Sequence, residues 1–170
     1  MIVVMPAGHT GPFTPGAGGA ASLSIDDFVR DFQGDIKPYV ESHYTVRTDR
    51  KSTAIAGLSM GGAQTLELAA QRMQDFGYVG VLSSGVFSIA QSNEWETRYG
   101  SRLDDPHAKS GLALLWFATG KDDFLLDTTK ATVAMFERHG FRPVFRESAG
   151  GHTWINWREY LHELAPQLFK

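Results

Sequence analysis

Cysteine is absent from the 170 residues, which excludes disulfides and thiolate chemistry and leaves the redox compartment undetermined. No apolar run approaches the roughly 20 residues a membrane-spanning helix requires, so no membrane partner is expected. Nor is there an excess of one charge. Sixteen Lys and Arg stand against 19 Asp and Glu, a formal net charge of −3 and a pI near 6.0. That leaves no basic footprint for nucleic acid. Histidines at metal-ligand spacing are also lacking: His162-Glu163 has no partner four residues on, so no metal is implied. The one loose dinucleotide fingerprint, Gly16, Gly18 and Ala21, is cut off from any preceding strand by Pro12 and Pro15. It lacks the strand–turn–helix context that cofactor binding needs, and no cofactor is expected. Repeats, low-complexity tracts, a linker and a secretory signal are all missing, so localisation is left open.

What is present reads as one ordinary globular domain over residues 1–170. Hydrophobic residues make up 42% and charged residues 21%, enough for a single substantial core. Ile2–Met5 is a short β-branched run closed by Pro6 and reads as a buried strand. Residues 7–23 form a long loop rich in Gly, Pro and Ala, a length usually kept for function. Ser24 can cap a helix in which Ile25, Phe28, Val29, Phe32 and Ile36 share one stripe, with Pro38 expected to bend or end it, although Tyr39 and Val40 can prolong the stripe. Asp49-Arg50-Lys51 reads as a charged turn. Four more strands are expected at Ser52–Leu58, Tyr78–Leu82, Leu112–Ala118 and Pro143–Glu147. Helices are expected at Gly62–Met73, Thr128–His139 (closed by Gly140) and Trp154–Phe169, with an irregular polar segment over 88–110. Strands alternating with helices predict a mostly parallel sheet of about five strands with helices on both faces.

In such a sheet, ligands sit beyond the carboxyl ends of the strands. The polar residues found there are Ser59 inside Gly57-Leu58-Ser59-Met60-Gly61, then Lys121-Asp122-Asp123, then Gly150-Gly151-His152. The order is serine, acid, histidine. A serine hydroxyl is a weak nucleophile until an imidazole takes its proton. The imidazole in turn needs a carboxylate on its other nitrogen to fix its tautomer. Asp122 and Asp123 both qualify as that acid, and Asp123 is preferred. Gly57 and Gly61 are expected to let strand and helix approach closely around a strained turn, with the Met60 N–H facing a developing oxyanion. Trp154, Phe13 and Trp95 are candidates to line an aromatic acyl pocket. The other histidines, His9, His43, His107, His139 and His162, have no such setting.

These motifs, Ala56-Gly57-Leu58-Ser59-Met60-Gly61-Gly62 after Asp49-Arg50, Ser83-Ser84-Gly85, Gly120-Lys121-Asp122-Asp123-Phe124-Leu125 and Gly150-Gly151-His152-Thr153-Trp154, together resemble the esterase D-like family. That is a group of α/β hydrolases including feruloyl, acetylxylan and enterochelin-type esterases and mycolyltransferases. The resemblance implies a serine esterase acting on small-molecule or polysaccharide esters, with the acid three residues past the turn glycine, at Asp123. It also implies that several N-terminal strands of the family are absent here. One of them, which would end in the loop giving the second oxyanion N–H, would lie between the strands at Ile2–Met5 and Ser52–Leu58. An α/β-hydrolase-like sheet truncated at its N-terminal side is therefore expected to expose an edge open to homo-oligomerisation. The same residues would also serve an acyltransferase, or a catalytically weak binding protein with an incomplete oxyanion hole.

Overall fold

The computed structural model describes residues 1–10, 25–86 and 89–170, without the side chains of residues 89–91. The Ser24 cap, Phe13 and the Gly16, Gly18 and Ala21 cluster lie outside the described residues. Two units, Met1–Thr48 and Asp49–Lys170, are distinguished.

In the first unit, α1 (Ile25–Asp31) buries Phe28 and Val29, as the apolar stripe requires. It runs through a π-helical turn, Phe32–Ile36, into α2 (Lys37–His43). Pro38 does not end the helix, which continues for a further five residues past it, through Tyr39 and Val40. The π turn explains this. Lys37 N–H donates to Phe32 O, so Pro38 falls in a fresh first turn, where its missing N–H costs little. The strand expected at Ile2–Met5 is not formed. These residues make no ladder, and Met1 to Met5 are all exposed. A strand exists only with a partner, and no described residue supplies the strand that the resemblance places between this run and Ser52–Leu58.

The second unit holds four parallel strands, β1 (Ala54–Leu58), β2 (Tyr78–Leu82), β3 (Leu114–Gly120) and β4 (Val144–Ser148), in the order β1-β2-β3-β4. Among the described residues the sheet therefore has four strands, where about five were expected. Among the described residues β1 pairs only with β2, and the register sets Leu58 beside Leu82 and Leu82 beside Ala118. Crossovers run through α3 (Met60–Arg72), α4 (Ile89–Asp104) with α5 (Pro106–Ser110), and α6 (Leu126–Arg138), and α7 (Trp154–Leu164) closes the chain with a 3-10 turn.

Alternation along β3 places helices on both faces. Trp116 and Ala118 pack with Leu82, Tyr160 and Leu164, which is the α7 face. Phe117, fully buried, points the other way, its ring 6.0 Å from Phe136 of α6. Burying each such side chain is worth roughly 1.5–3 kcal/mol. Among the described residues no helix is long and apolar enough to cross a membrane.

Of the segment expected to be irregular over 88–110, Ile89–Asp104 and Pro106–Ser110 are helical. Trp95, Tyr99 and Leu103 recur every fourth residue, a stripe concealed by the polar residues between them, and Tyr99 and Leu103 are buried. Asp105 then caps α5 by accepting the His107 N–H at 2.9 Å, which gives Pro106 a tolerated place in the first turn. Arg50, expected in a charged turn, instead reaches inward. Its guanidinium donates to Phe76 O (3.0 Å), His107 O (3.0 Å) and Ala108 O (2.6 Å). Those carbonyls lie at the ends of helical segments, where intrahelical donors run out.

Candidate active site

β1 delivers Ser59 onto a sharp turn. Ser59 has φ 52° and ψ −120°, a sparsely populated conformation for a residue with a Cβ, costing about 1–3 kcal/mol. The surroundings over-determine it. Ser59 N–H donates to Leu82 O at 2.9 Å, and Ser59 O accepts from Gly62 N–H at 3.0 Å as α3 begins. A Cβ on Gly57 would stand 2.8 Å from Gly62 N and closer still to the Gly61 carbonyl, so strand and helix meet only because residue 57 has none. The expectation of a matching role for Gly61 is corrected. A Cβ there meets nothing, whereas one on Gly62 would lie 2.8 Å from Ser84 Oγ. The second close approach is therefore between α3 and the turn after β2. Met60 opens α3, so its N–H belongs to the first turn, whose donors have no intrahelical acceptor.

The acid and the histidine come from the turns after β3 and β4, which are tied together. Lys121 N–H donates to Ser148 O at 2.8 Å and Asp122 N–H to Gly150 O at 2.9 Å. Gly120 allows this contact: a Cβ there would sit 2.7 Å from the Gly150 carbonyl carbon. Because that neighbour is backbone and cannot swing aside, Gly120→Ala is expected to cost about 3 kcal/mol. Thermal unfolding should read this as a fall in Tm of roughly 10 °C, and an unchanged Tm would mean the two turns are not held this close.

The side chains carried by these turns converge. His152 Nε2 lies 2.9 Å from Ser59 Oγ, and His152 Nδ1 lies 3.1 and 3.0 Å from the two carboxylate oxygens of Asp123. Asp123 is buried, and its Oδ1 also accepts the Leu125 N–H at 2.9 Å. Asp122 is exposed, and it is Asp123 that meets the imidazole.

One residue that sequence reasoning passed over holds the His152 loop. Asn156, buried on α7, donates to Ala149 O at 2.6 Å and Ser148 Oγ at 3.0 Å and accepts from Thr153 Oγ at 2.9 Å. Its signal was faint: an asparagine, a poor helix former, one turn before Tyr160 on the same helix. Trp157 stands edge-on to His152, ring centroids 4.9 Å apart at 89°, and donates its indole N–H to Ser83 Oγ at 3.0 Å. Ser83 is itself fully buried at φ 47°.

Of the candidate pocket residues, Trp154 is 71% exposed and touches Trp157, centroids 5.1 Å apart. Trp95 is not brought to the site. Its indole donates to Glu67 Oε2 at 2.9 Å, and its ring meets Tyr99 and Phe136. Glu67 lies about 12 Å along α3 from Ser59 at 1.5 Å per residue. Tyr99 also donates to Glu67, and burial, reinforced by that hydrogen bond, pushes its phenol up to about 12. Among the described residues no three His, Asp or Glu side chains converge as a metal site.

The family model described as "Putative esterase" matches residues 1–168. An endo-1,4-beta-xylanase/feruloyl esterase of Xylanibacter ruminicola is 28% identical over 170 residues, covering 99% of this chain and 21% of that relative. An acetyl esterase of Caldicellulosiruptor saccharolyticus is 24% identical over 176 residues, covering 84% of this chain and 66% of that one. A solved ferulic acid esterase structure matches with a TM-score of 0.67 at 27% identity, over 83% of this chain and 60% of its own. The chain thus spans about a fifth of the length of the first of these relatives. The parallel sheet flanked by helices is the α/β-hydrolase-like architecture of the solved esterases.

Proposed function

Because the chain belongs to the family described as "Putative esterase", we propose that it hydrolyses carboxylic esters through an acyl-enzyme on Ser59. The observation that carries this is the unbroken hydrogen-bonded line from Ser59 Oγ through His152 to the buried Asp123. In the first half-reaction His152 Nε2 takes the Ser59 proton as Oγ bonds to the ester carbonyl carbon. The Met60 N–H stabilises the oxyanion that forms. As the intermediate collapses, the C–O bond to the alcohol breaks and His152 gives that proton to the departing oxygen. Water then repeats the sequence against the acyl group, freeing the acid and restoring Ser59. Asp123 keeps a proton on Nδ1, so that Nε2 has its lone pair toward the serine, and stabilises the transient imidazolium.

The substrate class proposed is an ester of a sugar or polysaccharide with an acetyl or feruloyl acyl group. Relatives described as an acetyl esterase and a xylanase/feruloyl esterase support this choice.

The reading predicts turnover of 4-nitrophenyl acetate and of methyl ferulate. It also predicts stoichiometric capture of a fluorophosphonate, in which Ser59 Oγ bonds to phosphorus as fluoride leaves. Mass spectrometry of the peptide carrying residue 59 checks the second point. Folded protein that neither turns over an ester nor takes up the label would refute the proposal.

A further inference from the structure

The His152 ring is bordered by two aromatic side chains of opposite character. Trp157 is fixed by its bond to Ser83. Phe124 packs on the imidazole with centroids 4.6 Å apart at 45°, yet is 76% exposed. Its backbone is not loose. It lies between Asp123, whose N–H donates to Gly120 O at 3.1 Å, and Leu125, whose N–H donates to Asp123 Oδ1 at 2.9 Å. A large apolar ring thus projects into water from a hydrogen-bonded turn at the rim of the site, where burial by a ligand would be favourable.

We propose that Phe124 is a specificity-determining residue that receives the alcohol part of the ester, and that this alcohol is a sugar ring stacked by its C–H face. The inference rests on the triad reading above. His152 returns its proton to the departing oxygen, so the alcohol must lie beside the imidazole when the C–O bond breaks. Among the described residues, the exposed apolar ring in contact with that imidazole is Phe124. A sugar ring can cover an aromatic face while its hydroxyls stay in water, whereas a short alkyl alcohol cannot. Trp154, exposed and linked through Trp157 to the same imidazole, prolongs the aromatic border.

The test compares kcat/KM for ethyl acetate, ethyl ferulate and an O-acetylated methyl xylopyranoside in the wild type, Phe124→Ala and Phe124→Tyr. Phe124→Ala is expected to lower the preference for the acetylated xyloside over ethyl acetate roughly tenfold, the scale of one lost apolar contact. The ferulate-to-acetate ratio of the ethyl esters should hold, and Phe124→Tyr should restore the sugar preference. An unchanged sugar preference would overturn the proposal, as would an equal shift along the acyl series. A common loss on all three esters would also overturn it, because it would make Phe124 a mere support for His152. Wild-type turnover of ethyl acetate keeps the triad reading whatever these ratios do. Folded wild-type protein that turns over none of the three esters and takes up no fluorophosphonate would remove both.

Discussion

Replacing Ser59 by alanine is expected to lower kcat for 4-nitrophenyl acetate by about 10⁵- to 10⁶-fold without unfolding the protein. The hydroxyl is the only group removed, and the side-chain contact the structure gives it is to His152 Nε2 at 2.9 Å. What residual rate survives comes from binding and from the Met60 N–H, which do not depend on the hydroxyl. The same position gives a second, opposite effect on stability. Ser59 is held at φ 52°, where a Cβ is strained and glycine is not. Ser59→Gly is therefore expected to be inactive but about 1 kcal/mol more stable than Ser59→Ala, a difference readable by denaturant titration. A protein that spent this strain on nothing would be expected to relax it. Ester turnover surviving in Ser59→Ala would remove the nucleophile, and equal stabilities would remove the strain.

The convergence of Ser59, Asp123 and His152 was legible because each follows a strand, and strands that end in small polar residues announce themselves locally. Ser59, Asp123 and His152 fall at such ends, and the fold brings the ends of neighbouring parallel strands together. Residues whose role depends on a partner far along the chain were not legible. Nothing around Ser83 indicates that Trp157, 74 positions later, will donate to it. Arg50 likewise looked like surface charge because the carbonyls it meets, at Phe76, His107 and Ala108, belong to other elements. Ile2–Met5 failed for the converse reason: its composition is that of a strand, but pairing is a property of two segments and composition reports one. Gly61 was misjudged in favour of Gly62 because the close contact is with Ser84, on the neighbouring turn.

Asp123→Asn is expected to cost about 10³- to 10⁴-fold in kcat, whereas Asp122→Asn, on an exposed side chain, should leave the rate nearly as it was. The geometry says why an isosteric change should be so damaging. Asp123 Oδ1 accepts the Leu125 N–H and both carboxylate oxygens face His152 Nδ1. An asparagine there keeps its one oxygen on the backbone N–H, since a buried donor left without an acceptor costs about 1–3 kcal/mol. Its amide then presents N–H to Nδ1. Two donors cannot face each other, so the imidazole shifts its proton to Nε2 and no longer offers a lone pair to Ser59 Oγ. The fold is retained while the base faces the wrong way, which separates this variant from one that merely unfolds. Nitrogen-15 NMR of His152 checks the tautomer directly, expected as Nδ1–H in the wild type and Nε2–H in Asp123→Asn. If both variants keep full activity, Asp123 is not the orienting acid. If Asp122→Asn alone loses it, the carboxylate that matters is the exposed one, and the buried pair seen here is structural.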